Sequence, residues 1–275
     1  GGQLLYQMHW KLHYLPRVAS DWIITLATMF MLVAIVSGVI VHKKIFTEFF
    51  TFRAKKGARS WLDMHNLMSV TTLPFQIMIT YSGLVFMMFV CFPWIISAFY
   101  GPGEQNKQQF FHDVFVSLPD TAPTGVPADM LTVPALLEKV SPLMPTGRIS
   151  LVEVEAPNDE AARIAFNSGV AESLLRSAEI ITLNAHTGEL VMHRSQIDTT
   201  ARGFRDVMLG LHEGLYAGPL LRLLYVVSGL MGCAMVATGL FYWVKSRKKK
   251  EKKLAPRKDL RWVQAINIGV VLGFP

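Results

Sequence analysis

Long runs without charged residues alternate with polar segments along the chain. The first run extends from Trp22 to Val41. About 20 helical residues at a rise of 1.5 Å each cover roughly 30 Å, which is the thickness of the hydrocarbon core of a bilayer. Two more uncharged runs occupy 66–103 and 223–244. The pattern predicts transmembrane helices at about 18–42, about 65–99 and 209–245.

The second of these runs is too long for one straight span, because about 38 residues of helix would measure roughly 57 Å. Pro74 and Pro93 divide it. We expect Pro74 to kink the helix and Pro93 to mark its exit from the bilayer, with Trp94 in the interfacial aromatic belt.

The segment 101–208 has a different composition, polar and rich in turn residues, and is too long to be a connecting loop. Residues 133–140 fit a short helix that has proline near its start. Alternating apolar positions predict strands at 148–155 and 162–167, and 180–194 fits a hairpin that turns at His186 to Gly188. The predicted fold class is therefore a membrane all-α helical bundle with an inserted α+β domain.

The distribution of lysine and arginine orients these elements. The loop 43–64 carries six basic residues against two acidic ones, and 246–261 is also strongly basic. By the positive-inside rule we expect both loops in the cytoplasm and 101–208 in the periplasm of a bacterium. The net charge of +7 is then an orientation signal that meets anionic lipid and does not indicate nucleic acid. Residues 262–275 begin a further helix, and we expect the chain to lack helices at both ends.

Composition supports a membrane protein, since 51% of the 275 residues are hydrophobic and 17% are charged. Cys91 and Cys233 both lie within predicted spans, so we expect no disulfide bond. The chain has no glycine-rich dinucleotide fingerprint and no P-loop.

Five of the eight histidines flank the predicted spans: His9, His13, His42, His65 and His212. A single histidine at a helix end more often faces lipid head groups than binds a metal. Here several histidines from different helices lie at the same membrane face, and this favours metal binding. Two imidazoles on different helices suffice to hold a haem b iron, whereas a zinc site would need cysteine or carboxylate ligands at spacings that are missing. We expect His42 with His65 on one face, and His212 with His13 or His9 on the other.

Four membrane stretches and one hairpin carry a family resemblance: MHWKLHYLP, SGVIVHKKIFTEFFTFR, RSWLDMHNLMSVTTLPFQIMITYSGLV, LHEGLYAGPLLRLLYVVSGLMGCAMVATGLFYW and ITLNAHTGELV. They are similar to the PepSY-associated transmembrane family of the bacterial inner membrane, a group that includes ferric-siderophore reductases. The resemblance implies a PepSY-like periplasmic module, additional terminal helices and a role in iron uptake.

Two function classes remain open. The first is an inner-membrane electron carrier that holds haem b and reduces a periplasmic ferric siderophore, with quinol or a cytoplasmic reductant as donor. The second is a non-redox membrane anchor that displays a PepSY module to a peptide, a peptidase or a partner protein. A haem spectrum distinguishes them.

Overall fold

The computed structural model describes residues 2–48, 50–115, 122–144, 148–169, 173–195, 199–251 and 258–273. Part of the basic loop predicted at 246–261, residues 252–257, lies outside the described residues. The elements within them are, in chain order, α1 (Gly2–Lys11), α2 (Arg17–Val41), α3 (Ile45–Glu48), α4 (Ala58–Thr71), α5 (Leu73–Phe86), α6 (Phe92–Phe99), α7 (Glu104–Val114), α8 (Val133–Val140), β1 (Ile149–Glu155), β2 (Arg163–Ser168), β3 (Ile180–Asn184), β4 (Leu190–Arg194), α9 (Thr200–Glu213), α10 (Pro219–Glu251) and α11 (Lys258–Gly273).

Three stretches of helix are long and apolar enough to cross a membrane: Arg17–Val41, Leu73–Phe99 and Pro219–Arg247. This confirms the prediction of several spans, and the chain is a multi-pass membrane protein. The first span agrees with the predicted bounds to within a residue. The second and third spans begin later in the chain than predicted.

The second span begins at Leu73 rather than near His65, because α4 ends at Thr71 and its carbonyls are capped at Thr72. Pro74 follows in the first turn of α5, where a missing N–H costs little. Pro93 starts α6 after the 3₁₀ turn Met87–Cys91 and does not end the span, which continues to Phe99. Proline at the start of a helix reinforces that helix, so Pro93 does not end the helical segment, and the exit from the bilayer at Pro93 stays a prediction.

The range 209–245 is divided between two helices. Gly214 ends α9 in the left-handed conformation, with a φ of 62° that suits glycine. Pro219 then begins α10. The structure thus separates α9 from the third span, where the sequence pattern predicted one continuous helix.

The chain forms two compact units. One consists of 26–81 and 218–275, and its main feature is the packing of α4 along α10. Glycines of α10 allow this approach: a Cβ at Gly232 would meet the Gln76 amide at 2.6 Å, and one at Gly239 would meet the His65 ring at 3.1 Å. Small residues in membrane helices commonly allow such a close approach between neighbouring helices.

The other unit consists of 1–25 and 82–217 and contains the sheet. We call residues 122–195 the sheet module. Its four strands are antiparallel in the order β1-β2-β3-β4, and α8 covers β2 and β3. The core comprises Leu136, Val140, Met144, Ile164, Phe166, Ile181 and Leu183. The predicted helix, strands and hairpin are confirmed, and Gly188 has the expected left-handed turn conformation with φ of 71°.

Two helices of this unit, α7 and α9, were not predicted. The sequence of α7, EQNKQQFFHDV, is so polar that only Phe110 and Val114, one turn apart, are buried. In α9 the buried face includes Arg202 and Asp206. Arg202 donates to the carbonyl oxygens of His112 and Phe115, and so joins the start of α9 to the end of α7.

Candidate functional site

His212 lies in the last turn of α9, where its ring contacts the second span. Its Nδ1 lies 2.9 Å from the hydroxyl oxygen of Ser82, which is fully buried. The edge of the ring meets Phe86 with 5.2 Å between ring centres. Ser82 and Phe86 are one helical turn apart on α5, so one face of that helix fixes the orientation of the His212 ring.

His9 approaches the same ring from α1. The centres of the two imidazoles are 6.1 Å apart and their planes are inclined by 38°. With a metal–nitrogen bond of about 2.0 Å on each side, two imidazoles that ligate one metal from opposite sides have ring centres about 6 Å apart. A shared metal ion is consistent with this separation, which is also that of an ordinary ring contact. We call His9, His212 and Ser82 the His212 site.

His13 is placed differently. It lies in the turn after α1, is exposed, and packs edge-on against the neighbouring Tyr14 with 4.7 Å between ring centres. Of the two partners that the sequence offered for His212, the structure brings His9 to it.

Two polar atoms without a partner lie in the segment that follows His9. The indole Nε1 of Trp10 is buried and has no hydrogen-bond partner, and neither has Oδ1 of the buried Asp21. The guanidinium of Arg17 lies 5.6 Å above the Trp10 ring and 3.7 Å from the Asp21 carboxylate. Buried N–H groups are nearly always paired in proteins, so the Trp10 indole offers a donor to an acceptor at this place.

The residues of the His212 site have the chemistry that would hold a haem b. Two imidazoles come from separate helices, and the bond between Ser82 and Nδ1 of His212 leaves Nε2 as the nitrogen for a metal. The Trp10 N–H and the Arg17 cation suit the two carboxylates that haem carries. An ordinary protein-ligated metal is a poorer match, because no group of three or more His, Cys, Asp and Glu suited to a metal occurs in the described residues.

His65 forms a separate arrangement in the unit that contains α4 and α10, which we call the His65 site. Its Nδ1 lies 2.7 Å from the carbonyl oxygen of Met235. Since a carbonyl only accepts, Nδ1 carries the proton and Nε2 is the basic nitrogen. Gly239 makes this geometry possible, because its missing Cβ leaves room for the ring. His65 therefore has the orientation and protonation of a metal-ligating imidazole.

His42, the predicted partner of His65, follows the end of α2 and is exposed. Among the described residues no ring contact between His42 and His65 is present, so this pairing stays a prediction. An ion pair lies in the segment that separates them. The Arg53 guanidinium donates two hydrogen bonds, of 2.8 and 2.9 Å, to the buried Asp63 carboxylate. These bonds lower the pKa of Asp63.

The sequence did not identify several residues of these sites. Ser82 lies inside an uncharged run, and neither Trp10 nor Arg17 belongs to a motif that would mark it. The carbonyl of Met235 gives no sequence signal at all, since every residue has one. The role of Gly239 is evident only from the closeness of its Cβ position to the His65 ring.

Comparison with known families places these observations in one group. No curated protein matches the chain. The model of the PepSY-associated TM region matches residues 2–246, which include both histidine sites, the sheet module and the three candidate spans. The chain therefore belongs to the PepSY-associated transmembrane family.

Proposed function

We propose that this protein is a haem b-containing electron carrier of the bacterial inner membrane that reduces ferric siderophores in the periplasm. The observation that carries the proposal is the pairing of His9 with His212 at 6.1 Å, with Ser82 on the second ring nitrogen of His212. An imidazole pair of this kind, held at the end of membrane helices, is the ligand set of a six-coordinate haem.

The residues of the His212 site divide the task of holding the group. His9 and His212 would hold the group through their imidazoles, and Ser82 orients the His212 ring. Trp10 and Arg17 pair with the carboxylates, which also satisfies the buried indole N–H. Haem b supplies a reversible one-electron exchange at its iron.

The His65 site is the natural place for a second haem, with His42 as the expected second ligand. Met235 accepts the Nδ1 proton of His65 and makes Nε2 a stronger ligand. By the distribution of basic residues this site lies on the cytoplasmic side and the His212 site on the periplasmic side. Electrons then enter from quinol or from a cytoplasmic reductant and leave through the His212 site.

A ferric siderophore is the substrate that the family resemblance implies, and the chemistry is suited to a one-electron donor. Siderophores hold Fe(III) with hard oxygen ligands and bind Fe(II) far less well. Transfer of one electron to the chelated Fe(III) gives Fe(II) without breaking a covalent bond. The protein therefore has to deliver an electron to the periplasmic surface and to let the chelate approach that surface.

The second candidate, a non-redox anchor for a partner protein, is favoured by one feature of the sheet module. β1 is an edge strand, and its apolar side chains Leu151, Val152 and Val154 are exposed. An edge strand of this kind can pair with an extended segment of another chain. This reading needs no cofactor, and it becomes the better one if the purified protein binds no haem.

The test is the haem content of purified variants. His9→Ala and His212→Ala are each expected to lose the haem of the His212 site, whereas His13→Ala is expected to keep it, because the structure places His9 and not His13 against His212. His193→Ala, on β4, is the control for removal of a histidine far from the spans.

Reduced protein is then mixed with a ferric trihydroxamate chelate, and its reoxidation is followed by absorbance. We expect reoxidation to slow at least tenfold in His212→Ala and to keep the wild-type rate in His193→Ala. Wild-type haem content and wild-type reoxidation in both His9→Ala and His212→Ala would reject the ligand assignment.

A further inference from the structure

His186, in the turn between β3 and β4, has hydrogen-bond acceptors at both ring nitrogens. Its Nδ1 lies 2.6 Å from the carbonyl oxygen of Asp129, and its Nε2 lies 2.8 Å from the carbonyl oxygen of Asp159. A carbonyl oxygen only accepts, and a neutral imidazole has a single N–H. Both bonds therefore exist together only when the ring is protonated.

The two carbonyls belong to different parts of the sheet module. Asp159 lies in the turn between β1 and β2, and Asp129 lies in the segment 122–131 that leads to α8. The same segment is bound to that turn by the amide of Ala128, which donates to Asn158, and to the β3–β4 turn by the amide of Leu131, which donates to Ala185. Three stretches of chain meet at His186: the β3–β4 turn, the β1–β2 turn and the segment 122–131. His186 belongs to the first and bonds to the other two.

A second group in this junction keeps its charge at all ordinary pH values. The Asp159 carboxylate accepts from the amides of Thr124, Gly125 and Ala161 and from the Thr124 hydroxyl. These bonds lower the pKa of Asp159 to about 2. Asp159 therefore holds the beginning of the segment equally at pH 5 and pH 8, which leaves His186 as the group of this junction whose charge changes there.

The charges that face His186 come from each neighbouring stretch. Asp159 and Glu160 favour the protonated ring, and Asp129 contributes its carbonyl oxygen. The side chain of Lys139, from α8, lies over Gly188 in the same turn and adds a positive charge nearby, while Glu189 lies beyond Gly188. The carbonyl of Asp129, then that of Asp159, raise the pKa of His186 above its usual 6.5.

We propose that His186 is a pH-sensitive latch that holds the segment 122–131 on the sheet module. When the ring is protonated it bridges the carbonyls of Asp129 and Asp159, and when it is neutral one of these bonds is lost. A group whose folded-state pKa is raised stabilises fully below its unfolded pKa and loses that effect as the pH rises through the folded value. The latch is therefore closed in acid and loosened in mildly alkaline medium.

This proposal rests on the geometry of the sheet module and not on the haem. Loosening of the segment 122–131 weakens the bonds that the amides of Ala128 and Leu131 donate to the turns after β1 and β3. A domain in the periplasm is directly exposed to such changes of pH, and a cytoplasmic one is shielded from them.

Hydrogen exchange of the full-length protein in detergent micelles tests the latch. Deuterium uptake at the amides of Ala128 and Leu131 is measured by mass spectrometry at pH 5.5 and pH 8, after correction for the intrinsic pH dependence of exchange. We expect at least a fivefold loss of protection at pH 8 in these amides and no change in β2, which serves as the internal reference.

Two variants complete the test. His186→Gln cannot titrate, so its segment 122–131 should show the same protection at both pH values. His193→Gln removes a different exposed histidine, which bonds to Glu179, and should keep the wild-type pH dependence. Equal protection of the wild-type segment at both pH values overturns the proposal, and so does a pH dependence that survives in His186→Gln.

Discussion

Each central histidine has a hydrogen bond at Nδ1, which leaves Nε2 for the proposed haem. In His212 the bond partner is Ser82, and in His65 it is the backbone of Met235. The two differ in how they respond to mutation, because a side-chain hydroxyl can be removed whereas a carbonyl cannot. A different substitution is therefore needed to test the role of each histidine.

For the His212 site the substitution is Ser82→Ala. It removes the hydroxyl from Nδ1 and leaves the imidazole without its orienting bond, so haem affinity should fall by about 10- to 100-fold, the usual effect of losing such a partner. Transfer of haem to an apoprotein acceptor measures the change. Ser37→Ala, which removes an exposed hydroxyl bonded only within α2, should behave as wild type. Unchanged transfer in Ser82→Ala would argue against ligation by His212.

For the His65 site the substitution is Gly239→Val. The added side chain would overlap the His65 ring, already 3.1 Å from the Cβ position, and should displace it from the Met235 carbonyl. Gly229→Val is the matched control on α10, because nothing lies within 4 Å of its Cβ position. We expect the first variant alone to lose haem from this site. Equal haem content in both variants would show that His65 is no ligand.

How far the sequence revealed these sites depends on the type of residue. Histidines at the ends of uncharged runs stand out, since ionisable groups are rare there, and both central histidines were identified in this way. The choice of His9 over His13 depended on where α1 ends, at Lys11, which a short mixed segment does not reveal. Ser82, Trp10 and the Met235 carbonyl gain their significance only from tertiary contacts.

Among the elements, α9 links the sheet module to the His212 site, and its position depends on Gly210. A Cβ there would overlap the carbonyl oxygen of Leu174. The same loop is held by the Asp206 carboxylate, which accepts from the amide of Ser177, and by Arg176, which pairs with Glu213. These contacts fix the part of α9 between Asp206 and Glu213, which includes His212.

Gly210→Ala should therefore push α9 away from the loop at 174 and misplace His212. We expect a thermal unfolding midpoint lower by several degrees, together with weaker haem binding at the His212 site. Gly218→Ala, in the connection between α9 and α10, adds a Cβ to open space and serves as the control. A Gly210→Ala protein as stable as the control would mean that α9 is not held by this contact.

The elements that were predicted correctly have strong local patterns: the uncharged spans, the proline-led α8 and the hairpin at Gly188. Those that were missed lack them. In α7 the apolar face is only two residues wide, and α9 buries Arg202 and Asp206, which a hydrophobic pattern counts as exposed positions. Their stability comes from tertiary hydrogen bonds and aromatic packing.

At the scale of the whole molecule, the order of the spans limits where the histidines can lie. If Arg17–Val41, Leu73–Phe99 and Pro219–Arg247 all cross, residues before the first and before the third lie on the same side. The ring contact between His9 and His212 agrees with this. By the positive-inside rule, the basic loop 43–64 predicts that this side is the periplasm.

Fusions of alkaline phosphatase, which is active only outside the cytoplasm, test this orientation. A fusion after Gly125 should be active and one after Lys56 inactive, because the first lies in the sheet module and the second in the basic loop. The reverse pattern would invert the topology and move the His212 site to the cytoplasm.

The central claim, that paired histidines hold haem, is tested most directly by the visible spectrum of the purified full-length protein supplied with haem. After reduction with dithionite we predict the sharp α band of a six-coordinate haem b, unchanged by carbon monoxide because imidazoles occupy both axial positions. A protein that shows no such band, or whose reduced spectrum shifts at once with carbon monoxide, would contradict the account.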